Sequence, residues 1–600
     1  MNIFPDLFIV VRAAFNALLV LCGISIIGFA YLPRKWRPDR ASLNVLLSIS
    51  FGVTITSLTI WIVGSVPGTT FILPAVILLL IPALFSIKQW WQNLKQALHN
   101  GWQFVRSSPI SSATLLLPIL FCVPLLLLPV IDSDGLRYHL ALPRLFLLEG
   151  HIFRFPWDIT GAYPQSADML YLLKLIIGPA EAAKFLHFFF YLLGIVTIIV
   201  MIRKEKTNRH GAFLGALLYA VSPVVLAIAA AAFIDHFVIF HLGLACLLIR
   251  FKAKPVLVGI ALAGAAWTKW TVAPGILGIL VLLAFRAEAG KRFRSLLAAL
   301  IPAALVLTPL LVRNTISTGD PFYPVLTGFV RGGVAEVDAE SYRYVTQRHE
   351  ALPGPLKLPW GAGVGKVEWD EVVGWHHLLG LVLLPLALRD PRTRTAAALI
   401  IPYLLFEIWF NPSVRLTMPF IWGLAVVEGQ LLEKLRRRWA VPVTLAAVLP
   451  LLVLSGFSLQ KNALNYIGGK VDRQQVEQRI IPGWDAAEFV NRSPRQGKVM
   501  ALDFPAPYLF ERSWLAEGLV NKPPLRIWLD KAKGIDDLLE KFRDNNITFV
   551  VVTPGYGGGQ DFALLPLAKT AGEARLLMGL RQRLERVFTK NSVDVYLFRE

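Results

Sequence analysis

Apolar runs of roughly 11–25 residues, separated by short polar stretches, fill the first three-quarters of the chain, and a helix needs about 20 such residues to cross a bilayer. The pattern predicts about fourteen spans. They run Leu7 to Tyr31, Ser42 to Val63, Phe71 to Ile87, Thr114 to Ile131, Ala182 to Ile202, Ala212 to Ala232 and Phe237 to Ile249. Val256 to Ala266, Thr271 to Phe285, Leu296 to Val312, His377 to Leu388, Ala396 to Phe410, Leu416 to Leu432 and Val441 to Phe457 follow. The first run is too long for a signal peptide and lacks a small-residue cleavage site, so a retained anchor is expected. Between residues 237 and 285 the runs are short and interrupted by Pro255, Lys269 and Pro274. Irregular backbone and charge survive at membrane depth only against protein or a watery cavity, so a cavity is expected there.

Two long segments break the apolar pattern, Asp132 to Pro179 and Arg313 to Trp375. Beyond the last run, residues 458–600 return to soluble composition. There Lys498 to Phe504, Ile547 to Thr553 and Val593 to Phe598 read as strands, and Ile535 to Phe542 and Ala571 to Leu584 as amphipathic helices. The expected organisation is residues 1–109 as extra N-terminal spans with an amphipathic cytoplasmic segment bearing Trp90, Trp91 and Trp102. Residues 110–457 form a polytopic helical membrane domain with outer loops 132–179 and 313–375. Residues 458–600 form a small extracytoplasmic α/β domain.

Composition agrees with a membrane chain and decides its orientation. Only 17% of the 600 residues are charged and 55% are hydrophobic, with a mean hydropathy of +0.57, whereas soluble domains carry about 25% charge. The 60 Lys and Arg exceed the 40 Asp and Glu, a net charge of +20. The basic residues gather in alternate loops, around Arg34 to Arg40, Lys88 to Arg106, Arg203 to Arg209, Arg250 to Lys254, Arg286 to Arg294, Arg389 to Arg394 and Lys434 to Arg438. This is the positive-inside pattern, which leaves no basic surface for nucleic acid and places both termini outside. Cys22, Cys122 and Cys246 lie inside apolar runs, which excludes a disulfide framework and a clustered thiolate metal site.

The polar groups then converge on the outer side. Asp132-Ser-Asp134-Gly-Leu-Arg-Tyr-His139 leaves the fourth run, and its carboxylates could act as a general base, hold a divalent cation or cap the next helix. Asp168, Asp235-His236, Lys269, Arg313-Asn314 and Arg415 map to the same side. Acids with Lys and Arg about an outer cavity suit a lipid-linked phosphate substrate with a reacting hydroxyl. His376 and His377 are adjacent, so on a helix their rings diverge by about 100° and do not chelate one metal together. Gly555 to Gly559 lacks the Lys-Ser/Thr of a phosphate loop.

The segments Asp134-Gly-Leu-Arg-Tyr138-His139-Leu-Ala-Leu-Pro143 and Tyr163-Pro-Gln-Ser-Ala-Asp168-Met-Leu-Tyr171 resemble the first outer loop of polyprenyl-phosphate-sugar-dependent glycosyltransferases of the GT-C fold. Within that group the likeness is to the bacterial relatives of protein O-mannosyltransferases and lipid A aminoarabinose transferase, of the family 39 type. Phe233-Ile-Asp235-His236-Phe, Gly264-Ala-Ala-Trp-Thr-Lys269-Trp-Thr, Arg313-Asn314 through Gly319-Asp-Pro-Phe-Tyr323-Pro324, and Arg415-Leu-Thr-Met-Pro419 fit its layout. The resemblance spans about residues 110–600; Gly135, His236 and Trp270 depart from the usual residues.

The resemblance implies a hexosyl- or pentosyltransferase at the outer face of the bacterial cytoplasmic membrane, working among membrane lipids. Sugar would pass from a polyprenyl-phosphate donor to a hydroxyl of a glycan, lipid or protein, with inversion. Asp134 would be the general base; Lys269 and Arg415, with Arg313, would stabilise the departing phosphate. Asp132, Tyr138, His139, Asp168, Asp235, His236 and Tyr323 would bind substrate, and Asp132 with Asp235 would hold a cation such as Mg or Mn. The competing reading is a transporter or flippase of lipid-linked glycans, but the polar groups crowd the outer edge and the halves show no repeat.

Overall fold

Thirteen of the fourteen apolar runs coincide with helices in the computed structural model. The structure describes residues 4–67, 69–203, 209–325, 373–374, 376–410, 413–433, 461–518, 521–553 and 562–599. The run Val441 to Phe457, the loop Gly555 to Gly559 and most of the segment from Arg313 to Trp375 lie outside these residues. In chain order the first helices are α1 (Phe4–Tyr31), α2 (Ala41–Gly64), α3 (Ile72–Leu84), α4 (Ile87–Arg106), α5 (Pro109–Leu127), α6 (Ala141–Glu149) and α7 (Ser166–Ile177). Then come α8 (Glu181–Ile202), α9 (Arg209–Ala220), α10 (Pro223–Ile228), α11 (Asp235–Arg250), α12 (Pro255–Ala266), α13 (Ala273–Arg286) and α14 (Arg292–Thr318). The set continues with α15 (His377–Ala387), α16 (Pro391–Phe410) and α17 (Pro419–Leu432).

Five helices among the described residues are long and apolar enough to cross a membrane, namely α1, α2, α5, α8 and α14, or six if the pair α3 and α4, bent by 79°, counts as one span. The helices α12, α13 and α17 are apolar but shorter. The run from Ala212 to Ala232 is broken at Ser222, because Pro223 has no N–H for the helix ladder and starts a new helix.

The N-terminal spans are integral to the bundle. A Cβ at Gly28 would stand 1.9 Å from the Ser48 carbonyl oxygen, and one at Gly52 would stand 1.7 Å from that of Ile24, so small residues let the backbones of α1 and α2 touch. Gly52→Val is expected to lower stability by roughly 1–3 kcal/mol, read as a lower unfolding midpoint in detergent. Gly23→Ala, with open space at its Cβ, is the control that stays unchanged; an unchanged midpoint for Gly52→Val would contradict the close packing. From α2, Ser50 bonds His241 of α11 at 2.8 Å, Ser57 accepts from the Trp267 indole at 3.1 Å, and the Trp61 indole donates to Gln165 at 3.3 Å.

Two caps turn the chain into the site. Lys184 of α8 donates to the carbonyls of Leu125 and Leu128, both at 2.8 Å, which satisfies the open end of α5. Asp132 then caps the next turn by accepting the Gly135 N–H at 2.9 Å.

The C-terminal region carries a five-stranded sheet ordered β2-β1-β3-β5-β4: β1 (Lys498–Leu502), β2 (Trp514–Ala516), β3 (Ile547–Val552), β4 (Leu584–Lys590) and β5 (Val593–Phe598). β1 is parallel to β2 and β3, whereas β5 is antiparallel to β3 and β4. Asn591 and Ser592, both at positive φ, turn the β4–β5 hairpin. The helix Ile535–Asp544 buries Leu538, Leu539 and Phe542, with Asp536 and Asp537 in its first turn and Lys541 and Arg543 in its last, as its dipole favours. The sheet docks on the 132–179 segment through the Gly518 N–H on the Trp157 carbonyl (2.8 Å), the Ile159 N–H on Asn521 (2.9 Å) and Lys498 on Glu149 (2.6 Å).

Candidate active site

Ser133 to His139 forms a short helical stretch whose Gly135–His139 portion widens into a π turn, with the Leu140 N–H reaching the Gly135 carbonyl at 2.8 Å. Such widened turns gather at functional sites because they re-aim side chains. Here Asp134 and Tyr138, four residues apart, share a face, and the phenol donates to the carboxylate at 2.5 Å. Arg415, at the short helical turn before α17, reaches the same Asp134 oxygen at 2.6 Å. Its guanidinium lies 4.7 Å above the Phe233 ring, and Phe233 is held in turn by a hydrogen bond from the Tyr171 hydroxyl.

A second ion pair stands beside the first. Lys269 has extended backbone in the break between α12 and α13, and its ammonium donates to Asp235, the first residue of α11, at 2.7 Å. The charge of Lys269 also acts on Asp134, and that of Arg415 acts on Asp235, so the pairs form one electrostatic cluster. Side-chain exposure of 19% for Asp134, 16% for Arg415 and 16% for Lys269 leaves this cluster reachable, while Asp235 keeps 6%.

The protonation states follow from these contacts. Burial pushes Asp134 up, but Arg415, His139, the Tyr138 hydrogen bond and Lys269 outweigh it and bring the carboxyl to about 2. Burial and the Asp134 charge hold the Tyr138 phenol well above its usual value, so it remains a donor. His139 bonds Asp168 at 2.8 Å, and its ring packs 4.2 Å from that of Tyr138.

Other residues singled out in the sequence sit elsewhere. Both Asp132 oxygens are occupied, one by the Gly135 N–H and the other by the Ala232 N–H at 3.2 Å. Burial raises its carboxyl. Of the two carboxylates expected to hold a cation, that of Asp132 serves as a cap and that of Asp235 holds Lys269. Among the described residues no three His, Cys, Asp or Glu come together as a metal-ligand group.

His236 turns into the helix core, its ring tilted against that of His187 at 4.6 Å and its Nδ1 3.4 Å from the Tyr219 hydroxyl; one step along a helix rotates a side chain by about 100° away from Asp235. Arg313 donates to the Gly161 carbonyl at 2.7 Å and lies over Trp61, while Tyr323, fully buried, stacks under Arg154. This second group is linked to the first by Trp270 against Phe322, 6.2 Å apart. His376 and His377 make separate contacts, the first with the Leu218 carbonyl and the second between Ser222 (2.7 Å) and Glu428 (3.0 Å). Sequence reasoning did not single out Arg137, which meets Asp503 of the α/β domain at 3.9 Å. The signal was its place three residues after Asp134.

A family model described as a domain of unknown function, DUF8201, matches residues 180–330. No curated protein sequence matches the chain. Among solved structures, ArnT from Cupriavidus metallidurans bound to undecaprenyl phosphate is similar over 82% of this chain and 98% of its own, at 15% identity and a TM-score of 0.52. The apo state of that protein aligns over 83% and 98%, at 16% identity and a TM-score of 0.48. The apo Archaeoglobus fulgidus oligosaccharyltransferase aligns over 78% and 72%, at 15% identity and a TM-score of 0.46.

Proposed function

From this shared GT-C fold and the multi-pass helical architecture, we propose that the chain is a membrane glycosyltransferase. It moves a sugar from a polyprenyl-phosphate donor to an acceptor hydroxyl at the outer face of the cytoplasmic membrane. Both termini and the α/β region lie on that side, in keeping with the alternation of basic loops. The observation that carries this reading is the pairing of two carboxylates with two cations, Asp134 with Arg415 and Asp235 with Lys269, in one partly accessible cluster. ArnT, which is similar in fold, was solved bound to undecaprenyl phosphate, an anion of the kind that two such cations would receive.

In the proposed reaction Asp134 accepts the acceptor's hydroxyl proton as the oxygen attacks the anomeric carbon from the side opposite the phosphate. The bond from that carbon to the phosphate oxygen breaks, its electron pair stays on the lipid phosphate, and configuration inverts. Arg415 and Lys269 stabilise the charge that grows there, the electrostatic task that usually supplies the largest part of a rate enhancement. An arginine fork presents five donors and a lysine a point charge, so donor phosphate competes with Asp134 for Arg415. A carboxylate near 2 is a feeble base, since catalytic proton acceptors work best with a pKa near the operating pH. Phosphate binding that draws Arg415 away raises Asp134 toward a useful basicity, which couples donor arrival to acceptor activation.

Tyr138 and His139, the latter supported by Asp168, orient the carboxylate and the sugar. Lys269→Met tests the donor half: binding of undecaprenyl phosphate to the folded protein should weaken by roughly 10-fold or more, the order of one charge-assisted hydrogen bond, and the unfolding midpoint should fall because Asp235 is left buried without its partner. Unchanged lipid affinity would remove Lys269 from the phosphate site.

A further inference from the structure

A cavity of about 460 Å³ lies where the α/β region meets the outer segment, and Arg137, Trp484, Asp485, Asp503, Thr553 and Asn591 line it. It falls within the roughly 300–1,000 Å³ usual for small-molecule sites. Asp503 and Thr553 directly follow the parallel strands β1 and β3, the end of such sheets where open α/β folds bind ligands. Asp503 is held with φ 51°, a left-handed backbone that favours glycine, and its N–H is fixed by Glu517 at 2.6 Å. Strained backbone of that kind gathers at ligand sites. The Asp503 side chain stays 49% exposed beside Arg137.

The lining chemistry selects the ligand. Trp484 is half-buried and its indole group is tied to Glu477, so its carbon surface is what it offers the cavity. Asp485 is already engaged by Lys590 at 2.9 Å and by Gln478. Around the indole stand the carboxylates of Asp503 and Asp485, the guanidinium groups of Arg137 and Arg479, and the amides of Gln478 and Asn591. A lipid chain would leave these polar groups unpaired at a cost, and the two carboxylates offset the two guanidinium groups, so neither an anion nor a cation is favoured. A sugar ring satisfies both halves, with hydroxyls for Asp503, Arg479 and Asn591 and an apolar C–H face for Trp484; the Thr553 hydroxyl is already bonded to the Leu502 carbonyl.

Resting on the transferase reading, we propose that this cleft is the acceptor subsite and that the acceptor is a neutral glycan. Arg137, which lines the cleft, stands three residues after Asp134 in the same short helical stretch, so the cleft adjoins the chain segment that carries the reacting group. A ring seated against Trp484 and Asp503 presents its next hydroxyl toward Asp134. The α/β region thereby acts as the specificity element for the acceptor, while the helices hold the donor.

The test uses the full-length protein in nanodiscs, with methyl glycosides of neutral hexoses and pentoses observed by saturation-transfer difference NMR. Undecaprenyl phosphate binding is measured on the same samples. At least one glycoside is expected to bind with a Kd on the order of 1 mM. Asp503→Asn should weaken it by about tenfold or more with lipid binding unchanged; Trp484→Phe, which keeps an aromatic face, should weaken it less than Trp484→Ala. Absence of glycoside binding, or binding indifferent to Asp503→Asn, overturns the proposal. So does a joint loss of glycoside and lipid binding in Asp503→Asn. Wild-type protein that binds glycoside in the cleft but not undecaprenyl phosphate would leave the subsite standing and sink the transferase reading instead.

Discussion

Asp134→Asn should reduce sugar transfer by about 10²- to 10⁴-fold, the usual contribution of a positioned general base, while undecaprenyl phosphate still binds. The amide keeps the shape and the contact with Tyr138 but cannot take the acceptor's proton. Asp132→Asn is the matched comparison. Asp132 spends both oxygens on the N–H groups of Gly135 and Ala232, and an amide can accept only one of them. That variant should therefore lose stability, by about 1 kcal/mol or more, before it loses turnover per folded molecule. Transfer rates normalised to folded protein separate the two: an Asp134→Asn enzyme near the wild-type rate beside a dead Asp132→Asn enzyme would reverse the assignment.

Arg415→Met should have the second large effect, because it removes a cation from the leaving phosphate and also frees Asp134. Loss of one such electrostatic contact costs about 10²- to 10³-fold in kcat. Its pH signature is distinct. Arg415 is the leading influence that lowers Asp134, so in the wild type the acid limb of kcat/KM set by Asp134 in the free enzyme lies near its pKa of about 2, and in Arg415→Met it moves to higher pH. The stability argument has the same sign. A carboxylate depressed from about 3.9 stabilises the fold above that value and loses the contribution as pH falls, and the loss runs down through about 2. Arg415→Met should therefore show a smaller acid-dependent component, with Tyr138 and Lys269 still lowering Asp134. A kcat/KM profile with the same acid limb in both proteins would contradict the ion pair.

Much of this architecture was legible because hydrophobic period and basic loops reinforce one another. Where the sequence misled, competing physics was at work. The Ala212 to Ala232 run is apolar on both sides of its break, so only the Ser222-Pro223 pair marked it. In the α/β region β2 has three residues, too few for a pattern. β4, with the sequence Leu-Glu-Arg-Val-Phe-Thr-Lys, is an edge strand whose charges blunt the sheet's open side. Those charges made its first residue look like the end of the helix before it, which stops at Arg581.

The site was half legible. The spacing of Asp134 and Tyr138 announced their shared face, whereas the pairing of Asp134 with Arg415 joins positions 281 residues apart (415 less 134) and is fixed by tertiary packing alone. His236 came with Asp235 in the segment that resembles the family, and neighbouring positions on a helix send their side chains about 100° apart, so it packs against His187 while Asp235 meets Lys269. Asp132 read equally as a base, a cation ligand or a cap, and it accepts the Gly135 N–H as a cap does, a use of Asp at helix starts that its sequence position alone does not separate from the others.

The central claim is that the lipid-phosphate bond to the sugar is broken at this site. Purified protein in nanodiscs would be given a polyprenyl-phosphate donor with isotope-labelled sugar together with an acceptor glycan. Mass spectrometry would then follow free polyprenyl monophosphate and the labelled product, and NMR the anomeric configuration. The account predicts equal amounts of released carrier phosphate and glycosylated acceptor, with inverted configuration, and neither in Asp134→Asn. Donor that stays intact while moving from one leaflet to the other would contradict it and establish transport instead.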